Sequence, residues 1–542
     1  MMNNRTSDFD LIVAGSGAGG LAAALVAAGR GLSVCVLEKG AQIGGGTATS
    51  YGTLWAPANS LAREAGLEDS VEAGLAYARY VAGDAALDDL LQTHVQAAPR
   101  AVDRFRDLGV KLQLTIGLPE IFHPAAPGSC PDGRRMVEPQ PIRRSEIGPW
   151  ADRLRPAHYI PPGVTWGDVI AWGGFGNRMN WDPAELERRD RLGLLAAGQG
   201  LLAQLLRAGL PLGVELRLES GVSELVRDGD RVCGVRTTDG QVLKAQRGVV
   251  LATGGYEGNA DLVRRFEGLP DWLNSFAPTN TGDGMLLATE LGAAVYRLPV
   301  NHRKLVGCAV ASRNDEFFSI GLHGMPYPGA IAVNRDGQRF CDESLFQKVV
   351  HAFQEFDQVR HRFVNLPAYM IFDDRHRQRY SVVGGRPGAP VPDWIVRADS
   401  LTELARRIEV DPAGLEASVA RFNGHALAGH DPDFGRGASA FSRSTAGGEK
   451  GVARSGQLAP LDVPPYYAIR LRVGGMVSAG VLTGHHGEVM HVRGHPIAGL
   501  YACGNAAAPA DTGVGYQGGA SIGSAMIFGF LAAEHAAASH PS

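Results

Sequence analysis

The chain has 542 residues, of which 45% are hydrophobic and 20% charged, values typical of a globular protein too long for one simple core. Its formal net charge of -4 argues against nucleic acid as the main partner, although a locally basic pocket stays possible. The six cysteines are scattered without CxxC pairs or Cys/His spacings, so we expect no disulfide framework and no metal site, and we predict a reducing, cytoplasmic location.

The first predicted element is a buried strand that runs into a glycine-rich turn, Gly15-Ser16-Gly17-Ala18-Gly19-Gly20, followed by an alanine-rich helix. In such a turn the first two glycines allow a tight bend beside a pyrophosphate, and the third lets the helix pack on the strand. The helix N-terminus offers free N–H groups to phosphates. Glu38 ends the next apolar run, where an acid would bind ribose hydroxyls, and Lys39 follows it. This order of elements predicts a dinucleotide site.

The next segments are a loop of small residues, a helical region and an irregular tract. The loop holds Gly45, Gly46, Thr47, Ala48, Ser50 and Gly52, and its position directly after the acid favours contact with a planar part of a cofactor. Residues 60–110 carry helical patterns. The tract from Gly117 to about Gly163 is rich in proline and glycine, and we expect it to be a lobe over a site or a surface excursion.

A second strand and glycine turn are predicted in the middle of the chain. The apolar run from Gly248 ends at Ala252-Thr253-Gly254-Gly255, which predicts a buried strand that reaches the same face as the first turn. Asp283 then opens a helix. From about residue 275 to 465 the pattern changes to mixed strands and helices with many Arg, His and aromatic residues, which we interpret as an inserted substrate domain.

The last part of the chain again shows the pattern of its first part, a strand, a glycine-containing turn and an apolar helix. Gly504 and Asn505 follow a strand pattern, and an apolar helix pattern covers residues 520–538. That stretch contains Glu534 and His535, so we predict a buried core helix and no stable membrane insertion.

Taken together, these motifs resemble the two-domain FAD flavoproteins that include soluble fumarate reductase, L-aspartate oxidase and the 3-ketosteroid dehydrogenases. The resemblance implies an α/β fold, with a Rossmann-like FAD-binding domain of the glutathione-reductase type and an inserted α+β substrate or catalytic domain. It implies an FAD-binding domain at 1–276 and 466–542 and a substrate domain at 277–465. The implied contacts to FAD are Gly15, Ser16, Gly17, Gly20, Glu38, Lys39, Gly45, Gly46, Thr47, Ala48, Ser50, Gly52, Val222, Ala252, Thr253, Gly254, Asp283, Gly504, Asn505, Ser521 and Ile522.

Within that superfamily the chain looks most similar to the 3-ketosteroid dehydrogenases, on residues 46–59, 123–128 and 516–529. Such enzymes oxidise a saturated carbon pair next to a ketone, so the implied partners are a small hydrophobic ketone, favoured as 3-ketosteroid-like, and an external electron acceptor. The α-proton leaves to a base and the β-hydride goes to flavin N5. The alternatives are a smaller non-steroid cyclic ketone, a flavin-dependent reductase of an enone or enoate, and a flavin-containing binding protein without catalysis.

The resemblance assigns ketone binding to Tyr516 and to the backbone N–H of Gly519. Gln347 stands where the family's dehydrogenases usually carry a tyrosine that is a candidate base. Fumarate reductases carry arginines at the positions of Tyr516 and Gln347, and this chain has arginine at neither position. Reduction of a dicarboxylate is therefore disfavoured, because two cationic partners for its carboxylates are missing.

The base itself stays open in the sequence. His123 could accept a proton near neutral pH, although a lone loop histidine is more often a hydrogen-bonding residue. Tyr327, Tyr51 and Tyr159 are alternatives, and Phe122 is interpreted as a wall residue. Three further groups are interpreted as structural or solvated. These are the cluster of Arg339, Asp342 and Glu343, the turn with His485 and His486, and the arginine pairs at 134–135 and 143–144, which would gain interest if the substrate were a carboxylic acid.

Overall fold

The computed structural model shows an eight-stranded sheet and a seven-stranded sheet, each packed against hydrophobic cores, several two- and three-stranded sheets, and a smaller lobe. It describes residues 8–118, 120, 122–157, 160–174, 178, 180–301, 304–313, 316–321, 327–344, 346–438, 457–515 and 517–539.

The strands follow in chain order. They are β1 (Asp8–Ala14), β2 (Val34–Leu37), β3 (Leu54–Trp55), β4 (Leu112–Leu114), β5 (Met136–Pro139), β6 (Ile142–Arg143), β7 (Leu194–Leu195), β8 (Glu215–Arg217), β9 (Val222–Asp228), β10 (Arg231–Thr237), β11 (Val242–Leu251), β12 (Trp272–Leu273), β13 (Val295–Arg297), β14 (Lys304–Arg313), β15 (Glu316–Gly321), β16 (Ala330–Asn334), β17 (Phe356–Asp357), β18 (Arg362–Phe363), β19 (Ala368–Asp373), β20 (Val396–Ala398), β21 (Tyr466–Gly475), β22 (Ala479–Val481), β23 (Glu488–Met490) and β24 (Pro496–Ala502).

The α-helices are α1 (Ala18–Ala28), α2 (Gly45–Ala48), α3 (Ser60–Glu64), α4 (Val71–Ala82), α5 (Asp88–Asp107), α6 (Trp166–Ala171), α7 (Pro183–Arg191), α8 (Ala197–Gly209), α9 (Ala260–Phe266), α10 (Asp283–Thr289), α11 (Phe346–Phe353), α12 (Asp374–Arg379), α13 (Leu401–Arg407), α14 (Pro412–Ala428) and α15 (Ala520–Ala538). Short 3-10 segments cover Gly83–Ala85, Arg144–Arg153, Leu210–Leu212 and Gly504–Ala506.

The first sheet has the strand order β23-β24-β11-β1-β2-β8, and β9 and β10 extend it beside β11. Its centre is parallel, with Ile12 of β1 opposite Val249 of β11. Successive residues of β1 enter different cores. Leu11 and Val13 pack with α1, α5, α8 and α15, whereas Ile12 lies in a second core with residues of α9 and α10. A parallel sheet covered on both faces explains why β1 is a nearly continuous apolar run. The expected α/β class is confirmed.

The second sheet has the strand order β15-β14-β21-β19-β16, and β12 and β20 also pair with β21. β21 is antiparallel to β14, β19 and β20, so residues 466–475 form the centre of this sheet. The sequence assigned these residues to the FAD-binding domain, because a strand pattern does not reveal its pairing partner. Strand pairing instead groups residues 466–475 and β12 with the substrate domain, and we propose domain boundaries before Trp272 and after Gly475.

Helices α1 and α15 pack together through glycine and alanine. A Cβ at Gly529 would lie 2.5 Å from the carbonyl oxygen of Gly19, so larger side chains would separate the two helices. α15 is long and apolar enough to cross a membrane by length and composition alone. Most of its apolar residues lie in the core that also contains α1, as predicted for a core helix.

The lobe comprises residues 117–193. Its strand β5 pairs with β3 and β4, and its strand β6 pairs with β7, so the lobe pairs with strands that lie outside it in sequence. Trp166 and Trp181 of the lobe lie in one cluster with Trp55 and Tyr77, just outside it. Trp55 also donates its backbone N–H to the carbonyl of Gly519, the residue before α15. The cluster therefore connects the lobe to the start of α15.

Candidate active site

The turn between β1 and α1 has the geometry that its glycines predict. Gly15 has φ +109, and a Cβ there would lie 2.2 Å from the carbonyl oxygen of Ala252. A Cβ at Gly20 would lie 2.1 Å from the carbonyl oxygen of Gly15. Gly17 is the residue before α1 and has an extended conformation. Close backbone contacts therefore require glycine at positions 15 and 20, and α1 begins directly after Gly17.

Glu38 directly follows β2 and reaches back to this turn. Its carboxylate accepts hydrogen bonds from the Ser16 hydroxyl at 2.6 Å, from the Ser16 N–H at 3.1 Å and from the Gly40 N–H at 2.9 Å. These bonds fix the carboxylate beside the mouth of the turn. The Ser16 hydroxyl also accepts the N–H of Gly44, which connects the turn to the next loop.

That loop includes the short helix α2 and covers the start of α1. Thr47 accepts the N–H of Ala18 through its hydroxyl at 3.0 Å, and Ser50 donates to the carbonyl of Thr47 at 2.7 Å. Gly45 and Gly52 both have positive φ, and a Cβ at Gly52 would lie 2.4 Å from the carbonyl oxygen of Ala197. Gly46 and Ala48 complete this helix, with Ala48 fully buried. Thr47 thus contacts the first turn directly, and the other predicted loop residues lie in α2 or just after it.

The second glycine turn, after β11, lies against the first. The Ala252 N–H donates to the carbonyl of Ala14 at 2.7 Å, and the Thr253 hydroxyl accepts the N–H of Gly284 at the start of α10. Gly254 has φ +77 and would carry its Cβ 2.9 Å from the amide oxygen of Asn280. The two turns therefore form one continuous backbone surface.

Lys39 and Asp283 bind each other. The Lys39 ammonium lies 2.7 Å from the Asp283 carboxylate and 2.6 Å from the Thr281 hydroxyl, and both charged side chains are partly exposed. The sequence analysis predicted that Lys39 and Asp283 each contact the cofactor, and it did not predict that they contact each other. Val222, the first residue of β9, pairs with Thr237 at the same end of the sheet as Arg217 and Lys39.

A cavity beside these turns is lined by residues from the last part of the chain. Asn505 and Ser521 line it together with Val477 and Asp511, and Gly504 has φ +64. Ile522 is partly buried against the main core. The Asp511 carboxylate lies 2.7 Å from Nδ1 of the buried His94, a pairing of distant residues that the sequence did not indicate.

Glu257 is a further residue that the sequence analysis missed. It follows the second glycine turn, is 2% exposed, and neither carboxylate oxygen has a hydrogen-bond partner among the described residues. Burial raises the pKa of Glu257 to about 7, against a smaller opposing effect of the Asn280 and Asn505 amides. A protonated carboxyl can donate to a ligand oxygen. Two glycine turns that a Cβ would block, a helix N-terminus and this orphaned carboxyl fit a dinucleotide cofactor.

Gly519 directly precedes α15. Its φ is +79, and a Cβ there would lie 2.7 Å from the backbone nitrogen of Trp55. Its carbonyl accepts the N–H of Trp55 at 3.1 Å and of Gly523 at 2.8 Å. Its own N–H has no hydrogen-bond partner in the described part of the chain, which leaves it available to a ligand oxygen. Tyr516 lies outside the described residues.

The candidate bases lie in different parts of the fold, with His123 in the lobe and Tyr327 in the substrate domain. Burial lowers the pKa of His123, whose ring lies 5.9 Å from that of Tyr80. Burial raises the pKa of Tyr327, which is 4% exposed and stacks on Tyr380 at 5.0 Å. Tyr51 packs against the Trp166 ring at 4.1 Å.

Two other candidates lie wholly or partly outside the described residues. Gln347 lies on the first turn of α11, and its side chain is outside the described residues, as is all of Tyr159. Phe122 packs against the lobe cluster, in agreement with a wall residue.

Three arginines of the two lobe pairs bind carboxylates. Arg135 is buried between Asp69 at 2.6 Å and Glu120 at 3.3 Å, and burial still raises the pKa of Glu120 to about 7. Arg134 and Arg144 also form ion pairs with acids. In the substrate domain, Arg339 lies between Glu343 at 2.7 Å and Asp431 at 2.8 Å, all buried, which agrees with a structural cluster.

The histidine turn has a carboxylate neighbour that the sequence analysis overlooked. Nδ1 of His486 lies 3.1 Å from Glu488, and His535 stacks on His486 at 4.7 Å. These three side chains are close enough to hold a metal ion together. His486 lies in the turn between β22 and β23, Glu488 begins β23 and His535 lies near the end of α15, and they share no residue with the turns described above.

Comparison with known proteins agrees with this geometry. The family model described as FAD binding domain matches residues 10–525. A 4-oxocyclohexanecarboxylate 2-dehydrogenase of Sinomonas cyclohexanicum is 36% identical over 97% of this chain and 92% of its own length. A 3-oxosteroid 1-dehydrogenase of Mycobacterium tuberculosis is 33% identical over 98% of both chains. The crystal structure of a 3-ketosteroid delta1-dehydrogenase from Sterolibacterium denitrificans, with 1,4-androstadiene-3,17-dione, superposes with a TM-score of 0.88, at 31% identity over 99% of this chain and 100% of that chain.

Proposed function

Because this chain belongs to the FAD-binding flavoprotein family that contains these dehydrogenases, we propose that it introduces a carbon–carbon double bond next to the carbonyl of a cyclic ketone. The proposal rests above all on the likeness to a ketosteroid dehydrogenase over the full length of both chains. Relatives named for steroids and for oxocyclohexanecarboxylates share one kind of reacting group, a ring carbonyl with hydrogens on the adjacent carbons.

FAD is the cofactor of this family, and its isoalloxazine, when bound, supplies the acceptor for the β-hydride. We propose that the two glycine turns and the N-terminus of α1 bind the pyrophosphate, and that Glu38 binds the adenosine ribose. Of the remaining predicted contacts, Gly504, Asn505 and Ser521 line the adjoining cavity. Glu257 is added to this set, because its buried carboxyl needs a partner.

Ketone activation is proposed for the N–H of Gly519, with the hydroxyl of Tyr516. Negative charge builds on the carbonyl oxygen as the α-proton leaves, and donors fixed at that point stabilise the developing enolate. The Gly519 N–H suits this task because it is unpartnered in the described part of the chain, while its carbonyl is held by two hydrogen bonds. Such a donor contributes about 3 kcal/mol to lowering a barrier.

For the base we propose His123 in preference to Tyr327. The lowered pKa of His123 leaves its imidazole neutral and able to accept a proton at neutral pH. The raised pKa of Tyr327 makes its phenolate costly to form in its buried position. Tyr51, Tyr159 and Gln347 carry no comparable support from the described residues.

Anaerobic mixing tests the function directly. The purified holoprotein is mixed without oxygen with 4-oxocyclohexanecarboxylate or with a saturated 3-oxosteroid, and the flavin absorbance is followed in time. The proposal predicts that at least one of these ketones bleaches the oxidised flavin, whereas the corresponding alcohol, which lacks an acidified α-hydrogen, does not. Bleaching by neither ketone would refute it. An external electron acceptor and a cytoplasmic location are proposed with it; the described cysteines Cys35, Cys130, Cys233, Cys341 and Cys503 are free thiols.

A further inference from the structure

The N–H of Gly519 belongs to a tight turn that begins at Gln517. The Gln517 carbonyl accepts the N–H of Ala520 at 3.1 Å, so residues 517–520 form a closed turn with Gly519 at its third position. Gly519 has φ +79 and ψ -11, which is the conformation of the third residue in a type II turn. α15 begins at the last residue of this turn. The direction of the Gly519 N–H is therefore set by the contacts that hold the turn.

The side chain of Gln517 attaches the turn to helix α4. Its amide oxygen accepts the hydroxyl of Tyr77 at 2.6 Å, across 440 residues of sequence. Tyr77 is fully buried, and Gln517 is 4% exposed. Burial raises the pKa of Tyr77, so its hydroxyl stays protonated and can act as the donor. The ring centroids of Tyr77 and Trp55 lie 6.0 Å apart, and the N–H of Trp55 binds the Gly519 carbonyl. Two neighbouring aromatic residues therefore hold the turn, one at its first residue and one at its third.

The segment before the turn runs along the end of the same helix. The Val514 N–H donates to the carbonyl of Ala82 at 3.1 Å. A Cβ at Gly515 would lie 1.9 Å from the carbonyl oxygen of Val81, so the two backbones are in direct contact. Tyr77 lies one helical turn before Val81 and adds a side-chain hydrogen bond to these backbone contacts. α4 therefore supports the chain continuously from residue 514 to residue 517.

We propose that Tyr77 and Gln517 are positioning residues for ketone activation, because their hydrogen bond fixes the turn that presents the N–H of Gly519. This inference rests on the proposed function, in which that N–H stabilises the developing enolate. A buried amide without a partner is costly, so loss of the Tyr77 hydroxyl favours a shift of the turn. A displaced donor loses more with an enolate oxygen than with a neutral ketone, because the hydrogen bond to the charged acceptor is the stronger one.

The test uses Tyr77→Phe, which keeps the ring and removes the hydrogen bond. Each holoprotein is reduced without oxygen by whichever of 4-oxocyclohexanecarboxylate and a saturated 3-oxosteroid reduces the wild-type flavin, and rates are compared per bound FAD. We expect the limiting rate at saturating ketone to fall about ten- to hundredfold, while the Kd of the ketone changes less than about threefold. Gln517→Met should give a similar fall. The double variant should be no slower than either single variant, because both changes break the same bond.

Tyr501→Phe is the matched control. Tyr501 is 4% exposed, and its hydroxyl is hydrogen-bonded to Nδ1 of His535 at 2.9 Å, near the other end of α15. Its loss should lower the midpoint of urea unfolding, as Tyr77→Phe does, and leave the rate of flavin reduction unchanged. The double variant Tyr77→Phe/Gln517→Met removes both buried polar groups of the pair, so it should be more stable than Tyr77→Phe without regaining its rate.

The outcomes separate this inference from the function beneath it. A wild-type limiting rate in Tyr77→Phe and Gln517→Met, an effect on Kd alone, or a rate that recovers together with stability in the double variant would overturn the positioning role. The dehydrogenase function would then stand. If neither ketone reduces the wild-type flavin, the proposed function fails, and the positioning role fails with it.

Discussion

Replacing Gly15 by alanine perturbs the cofactor turn at its tightest point. The new Cβ would lie 2.2 Å from the carbonyl oxygen of Ala252, well inside van der Waals contact. Ala252 cannot move away freely, because its N–H is bound to the carbonyl of Ala14 at 2.7 Å. Relief therefore requires β1 and β11 to separate where the pyrophosphate is expected to bind. Overpacking of this kind costs about 1–3 kcal/mol, in addition to roughly 1 kcal/mol for a positive φ without glycine.

Gly31 provides the matched control. It also has a positive φ, +85, but no atom lies within 4 Å of the position its Cβ would take. Gly31→Ala should therefore cost only the roughly 1 kcal/mol of backbone strain and retain a full complement of FAD. Gly15→Ala should lose most of its FAD on gel filtration and unfold at lower urea concentration than Gly31→Ala. Equal FAD content and equal unfolding midpoints for the two variants would refute this reasoning.

Two other variants test separate parts of the site. Gly519→Ala should lower kcat/KM at least tenfold while FAD stays bound, because the new Cβ would displace the backbone of Trp55 and move the N–H donor. Steady-state kinetics measure this effect, and an unchanged kcat/KM would contradict it. Glu257→Gln should flatten the pH dependence of unfolding. The pKa of Glu257, about 7, is raised above its unfolded value, so this group's contribution is fully present below about pH 4.5 and is lost as pH rises through 7, by up to about 3 kcal/mol. Urea unfolding of the cofactor-free protein at pH 5 and pH 8 measures the difference, and an equally steep fall in the variant would contradict the assignment.

The cofactor turn was predictable because its signals are local. A strand, three spaced glycines, a helix and a distal acid occur within the first part of the chain, and each has one physical task. The structure brings Gly15, Ser16 and Glu38 together as that pattern requires. The family resemblance added FAD, which the first motif alone could not distinguish from another dinucleotide, and this is confirmed.

Long-range pairings were not predictable in the same way. Lys39 and Asp283 are 244 residues apart, so no local pattern could show that they neutralise each other. The sequence pattern of the strand from Tyr466 to Gly475 resembles that of the FAD-binding domain. Its hydrogen-bond partners, however, lie in the second, seven-stranded sheet. Glu257 was missed because an acid after a glycine turn is usually exposed, and only the fold shows that it is buried.

The arginines illustrate the same limit from the other direction. Paired arginines such as Arg134 and Arg135 attract attention in the sequence, yet the fold supplies each with an acid.

The central claim is that a cyclic ketone loses its α and β hydrogens at this site. Single anaerobic turnovers of the holoprotein, one with excess 4-oxocyclohexanecarboxylate and one with excess saturated 3-oxosteroid, followed by NMR of the product and by flavin absorbance, test it most directly. The account predicts that at least one of these ketones gives one enone, with its double bond adjacent to the carbonyl, for each flavin reduced. Oxidised flavin and unchanged ketone with both compounds, or reduced flavin with a product that lacks this double bond, would contradict it.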